Sequence, residues 1–157
     1  MKPFLTFALI TALAAPVAAQ DVAMAQGEAP TTDVEVVDPT IPRDASGLTL
    51  DEFLWTARPL IVFADTPDDP RFVEQMEMLA GRPGPLLERD VVILFDTDPA
   101  ARSDIRIQLR PRGFMVVVLD KDGAVGLRRP APRDVRELVR AIDNFQLRQE
   151  ELRRDNE

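Results

Sequence analysis

The chain has 157 residues, the length of one ordinary domain with some to spare, and it contains no Cys, no His and no Tyr. Those absences exclude thiol and disulfide chemistry, and they remove the usual zinc, copper and haem ligands and the usual base of a serine triad. The net charge is −8. An acidic surface of this kind is poorly suited to a phosphate backbone, so nucleic acid is not an expected partner.

The first 19 residues read as a secretory leader. Lys2 gives a positive start, Phe4 to Ala15 is apolar, and Pro16-Val17-Ala18-Ala19 ends in the small residues that a signal peptidase reads. The apolar run is 12 residues long, against about 20 needed to span a bilayer. Cleavage after Ala19 is therefore expected, with no transmembrane segment left behind. The expected destination is the periplasm, with the extracellular space as the alternative. Residues 20–47 are rich in Asp, Glu, Pro, Thr and Ala and poor in large apolar groups. Such a stretch cannot bury enough surface to offset its ordering entropy, so it is expected to be a flexible acidic linker before a domain over 48–157.

The domain opens with Thr49 and Glu52 at capping-box spacing, flanked by Leu48 and Phe53 at staple positions, which predicts a short helix over about Leu50 to Thr56. Trp55 within it is expected to pack into the core. Leu60-Ile61-Val62-Phe63-Ala64 is apolar on both faces, as a central parallel strand is. Asp69 and Pro70 then form an N-cap and first helical residue. Phe72, Val73, Met76, Leu79 and Ala80 follow at helical spacing, and Gly81 with Pro83-Gly84-Pro85 stops the helix. Leu86 to Arg89 adds about a turn. Val91 to Phe95 is a second doubly apolar strand, and Asp98-Pro99 starts a helix expected to reach Leu109. Phe114 to Leu119, the turn Asp120-Lys121-Asp122-Gly123, and Ala124 to Arg128 read as an antiparallel hairpin. Val135, Leu138, Ile142, Phe145 and Leu152 place one apolar stripe on a last helix, from about Pro132 to Arg153.

The order is thus β-α-β-α-β-β-α, an α/β fold with a central mixed sheet flanked by helices. The hairpin followed by a helix is the thioredoxin-like ending; a Rossmann sheet would continue with further βα units. A ferredoxin-like order is the minor alternative.

Several stretches, in this order, carry a family resemblance. They are Arg58 to Ala64, Asp68-Asp69-Pro70-Arg71 with Gln75, Glu88-Arg89-Asp90-Val91 and Gly113-Phe114. Lys121-Asp122-Gly123, Leu127-Arg128, Ile142-Asp143 and Arg148-Gln149-Glu150 complete the set. On them the chain resembles the exported, thioredoxin-like domain of unknown function 4174, which also occurs in vertebrate extracellular-matrix and sushi-repeat proteins. The resemblance implies a fold and an exported location. It implies no reaction and no catalytic residue, and by analogy it admits an envelope- or matrix-contact role. Redox-active thioredoxins carry cysteines just after the first central strand, where this chain has Ala64 to Arg71, and a cis-proline before the third, where it has Met115.

Two groups of residues are candidates for chemistry or binding. Asp65, Asp68, Asp69 and Arg71 follow the first central strand, and Asp96 and Asp98 follow the second, so both loops are expected on one sheet edge. Together they could hold Ca or Mg, bring two carboxyls close enough to raise one pKa, or bind a cationic group. Capping and turn formation explain the same residues without a ligand. Arg128, Arg129, Arg133, Arg136 and Arg140 form a basic strip suited to an acidic partner or a phosphate; the alternative is a solvated face neutralised by Asp134, Glu137 and Asp143. The leading expectation is a non-catalytic, cysteine-free thioredoxin-like binding or structural module of the bacterial cell envelope, with an envelope protein as partner. The alternative is a carboxylate- or divalent-metal-dependent enzyme working from the acidic loops.

Overall fold

The computed structural model describes residues 41–157. The expected leader and most of the expected linker lie outside them. The elements are β1 (Arg43–Asp44), β2 (Arg58–Phe63), α1 (Pro70–Gly81), α2 (Gly84–Leu87), β3 (Val91–Asp96) and α3 (Asp104–Leu109), then β4 (Met115–Leu119), β5 (Val125–Arg129), α4 (Val135–Asp143) and α5 (Gln146–Arg154). Short 3-10 turns cover Leu50–Phe53 and Pro99–Ala101.

The sheet has five strands in the order β1-β3-β2-β4-β5. β2 runs parallel to β3 and antiparallel to β4, and β4 pairs antiparallel with β5, so the sheet is mixed as expected. Every residue of β2 is buried, which is why it reads as a continuous apolar run rather than an alternation. Side chains of successive residues leave on opposite faces, and two cores form. On one face Leu60, Val62, Ile93, Val116 and Val118 pack against Leu79, Leu138 and Ile142. On the other, Ile61, Phe63, Leu94 and Val117 pack against Phe53, Ile105 and Leu109.

Five expectations change. β1 and the fully buried Ala45 fall inside residues 20–47, so the expected flexible linker gives way to the sheet before position 47. The helix expected over Leu50 to Thr56 is one 3-10 turn. Glu52 accepts the Thr49 N–H at 2.7 Å and its hydroxyl at 3.1 Å, so the start was read correctly. The chain then leaves through a turn that puts Trp55 on the surface, 68 % exposed, rather than in the core. The helix expected from Pro99 to Leu109 is interrupted at Arg102, which has φ +50, and it restarts with Ser103 as N-cap, accepting from the Arg106 N–H at 3.1 Å. The last helix is likewise two, α4 and α5. They part at Asn144 and Phe145, where the Phe145 ring turns in against Gly126 and leaves no room there for a Cβ.

Candidate functional site

The two acidic loops do meet. Ala64 donates its N–H to the Asp96 carbonyl at 3.0 Å, so the ends of β2 and β3 share one edge. What lies on that edge is a set of closed pairings. Asp69 caps α1, accepting the Arg71 N–H at 2.9 Å, and it also receives the Arg71 guanidinium at 2.7 Å. That guanidinium holds the Asp69 carboxyl below the usual carboxylate range. Arg71 also lies over the Phe114 ring, 5.3 Å from its centroid, a cation–π arrangement. Asp65 and Asp68 are exposed, and Asp98 spends an oxygen capping the 3-10 turn at the Ala100 N–H.

Asp96 is buried and more heavily engaged. Arg106 donates to its Oδ1 through Nε at 3.0 Å and Nη2 at 2.7 Å. Ser103 Oγ donates to its Oδ2 at 2.5 Å, and the Asp98 N–H adds a bond at 3.2 Å. The same Arg106 Nη2 reaches the Ala64 carbonyl at 2.8 Å, tying the two strand ends together. Burial alone would push the Asp96 carboxyl up, but the Arg106 guanidinium and Ser103 hydroxyl outweigh it and hold the group below its ordinary value. A general acid needs the opposite shift. Among the described residues, no group of three or more acidic side chains is placed to hold a metal ion. Arg106 and Ser103 were not among the sequence candidates; a serine followed by an acid in the first turn, as in Ser103-Asp104, was the local sign of a fresh helix start.

The basic strip divides. Arg128 and Arg129 are neighbours on β5 and leave on opposite faces. Arg128 donates to the Leu109 carbonyl at 2.7 Å and packs on the α3 side. Arg129, Arg133 and Arg140 surround a cavity of about 290 Å³ with Glu137 among them. Glu137 is 3.5 Å from Arg133, one helical turn away. Arg136 lines a different hollow with Arg82 and Val135.

At the opposite pole of the sheet, where β2 and β3 begin, lies a charged network that no sequence candidate included. Arg58 opens β2, is 0 % exposed, and uses all three guanidinium nitrogens: Asp120 at 2.9 Å, the Arg89 carbonyl at 3.0 Å and Glu151 at 3.0 Å. Lys121 pairs with Asp90 at 2.7 Å and Glu151 at 3.0 Å, while Arg148 reaches Glu151 at 3.2 Å. Arg89 clasps Asp143 through two bonds, at 2.7 and 2.9 Å. Burial would raise the Glu151 carboxyl, but Arg58, Lys121 and Arg148 lower it to about 2. Lys121 is shifted the other way: burial works against its charge, and Asp90 and Glu151 more than restore it. Beside this network a groove of about 660 Å³ opens, with Trp55 in its wall.

No curated protein matches the chain. Among solved structures it is similar to the reduced 2-Cys peroxiredoxin of Plasmodium vivax, with 18 % identity and a TM-score of 0.51, over 64 % of this chain and 84 % of that one. That likeness concerns the fold, which is thioredoxin-like. The residues that suggested a family, Arg58, Glu88-Arg89-Asp90, Lys121, Asp143 and Arg148 among them, converge on the network around Glu151. The model of one family spans residues 49–151, nearly the whole described domain, and by that match the chain belongs to the domain of unknown function family, DUF4174.

Proposed function

We propose that the chain is a non-catalytic, thioredoxin-like binding module of the bacterial cell envelope, exported by its leader and acting through a protein partner. One observation carries this reading: the two carboxylates at the strand ends that are not fully exposed, Asp69 and Asp96, are committed to structure. Asp96 is locked between Arg106 and Ser103 and held ionised, and Asp69 is spent on a helix cap and Arg71. A chain without Cys, His or Tyr has few other groups for acid–base or nucleophilic work. Export rests on the composition of residues 1–19.

The test sets this reading against an enzyme using carboxylates with Ca or Mg at the same edge. Purified mature protein is melted with and without millimolar Ca²⁺ or Mg²⁺, beside Asp68→Ala/Asp96→Ala. An ion that binds the folded state must raise the melting temperature by mass action. The proposal expects no metal-dependent rise. A rise that vanishes in the double variant would contradict it and establish the metal site.

A further inference from the structure

Arginines collect along α4 in numbers that the carboxylates beside them do not balance. The hollow of about 290 Å³ next to β5 is lined by Arg129, Arg133 and Arg140. Arg140 also stands in the wall of a second hollow, of about 250 Å³, with Arg82 and Arg136. Among the described residues Glu137 is the one carboxylate lining either hollow, and Asp134 flanks them as the N-cap of α4. Five guanidinium groups thus face two carboxylates. Asp143, further along α4, is already clasped by Arg89 and leaves that excess unchanged.

These guanidinium groups are also unspent. Among the described residues Arg82, Arg136 and Arg140 form no ion pair, and Arg129 reaches only the carbonyl of its neighbour Arg128, at 2.9 Å. Arg133 has one long contact, to Glu137 at 3.5 Å, and its Nε is shielded from water with no partner there. Its backbone, by contrast, is firmly held. Gln75 on α1 is 0 % exposed; it accepts the Arg133 N–H at 2.8 Å and donates to the Arg133 carbonyl at 3.0 Å. A buried amide is thereby spent wholly on fixing the chain where it enters α4. Pro85 and Val139 give the second hollow apolar walls, beside which a charge is less screened than in open water.

We propose that this face binds an extended acidic segment of a partner protein, with its carboxylates set against the arginines of the two hollows. Arg136 and Arg140 are one helical turn apart, about 6 Å of rise, and alternate residues of an extended chain present their side chains on one side about 6.7 Å apart. β5 is the outer strand, paired only with β4 among the described residues, so its free backbone edge borders the first hollow and favours an extended partner over a helical one. Concave pockets admit single side chains, which a flat anionic bilayer does not offer. The inference rests on the binding-module reading and gives it a site and a partner chemistry.

Mature protein is titrated by calorimetry with an octapeptide alternating Glu and Ser, with its Lys–Ser counterpart, with inorganic phosphate and with vesicles of anionic phospholipid. The expected result is saturable binding of the glutamate peptide below about 1 mM, weakening as salt is added, with the other three at least about tenfold weaker. Affinity for that peptide should fall roughly tenfold in Arg136→Gln/Arg140→Gln and less than about twofold in Arg102→Gln/Arg110→Gln, which removes the same charge from the ends of α3. All four side chains are exposed, and unchanged melting curves check the fold. No saturation by about 1 mM, equal or tighter binding of phosphate, vesicles or the lysine peptide, or equal effects of the two double variants would overturn the site. The binding-module reading fails separately, when crosslinking in cells captures no partner through any face.

Discussion

Trp55 shows how far a single residue can depart from what its type suggests. Large aromatics bury well, and a tryptophan just before a central strand reads as core. The chain instead holds it in the left-handed region, where a bulky side chain costs on the order of 1–3 kcal/mol. Trp55→Gly should therefore leave thermal stability unchanged or raise it by about 1 kcal/mol, measured by calorimetry. A loss of about 3–5 kcal/mol, as for truncation of a core aromatic, would show that the indole is structural. Gly126 makes the contrary case: it is defined by the absence of a side chain. Gly126→Ala drives a methyl into the Phe145 ring and should cost about 1–3 kcal/mol. Gly126→Ala/Phe145→Leu should recover part of that in denaturant unfolding. Nothing local in the sequence distinguishes Gly126 from any strand glycine, because its partner lies 19 positions away on another element.

Among the elements, those with a strong local signal were read closely. α1 begins and ends where Asp69-Pro70 and Gly81 place it, since cap, proline and glycine act on adjacent backbone. β2 and β3 follow from their apolar runs. The helices after β3 and β5 were read as single because Ala101, Ile105 and Leu109, and Ile142 and Phe145, keep helical spacing across the breaks. Periodicity records which face is buried and does not register a change of axis. The shared edge of the acidic loops follows from the strand ends, but the pairing of Asp96 does not, because Arg106 and Ser103 lie 10 and 7 positions from it. Asp96→Asn keeps the shape and removes the charge, so Arg106 is left buried beside a neutral group; a loss of about 3–5 kcal/mol is expected from denaturant curves.

α5 is the element most dependent on charge. None of its residues is fully buried, and it is held by Glu151 meeting Arg58, Lys121 and Arg148, and by the Leu147 N–H at 3.3 Å from Asp120. Glu151 has its folded pKa depressed from 4.5 to about 2. Its stabilisation is therefore complete above about pH 4.5 and disappears as pH falls through about 2. Between those values the wild type should lose on the order of 2 kcal/mol that Glu151→Gln, already weaker at neutral pH, does not lose. Melting curves collected from pH 7 to pH 2 check this, and equal slopes for the two proteins would contradict it.

For the whole molecule, the arrangement is a thioredoxin-like sheet with its two poles put to different uses. The strand-end pole is closed by Asp96–Arg106–Ser103 and Asp69–Arg71. The other pole has a rigid floor, with Arg58 buried between Asp120 and Glu151, and an open groove above it. The sequence made the strands and the place of the first pole legible, since both follow from neighbours along the chain. The second pole was not, because Arg58 is 62 positions from Asp120 and 93 from Glu151, and only the folded sheet brings them together. Among the described residues no helix is long and apolar enough to cross a membrane. The most direct test of a binding role is photocrosslinking in intact cells at native expression, with the crosslinker placed in turn at Glu88, Asp68 and Glu137. The account predicts one dominant envelope protein, captured most strongly from Glu137. No specific partner from any of the three positions would contradict it.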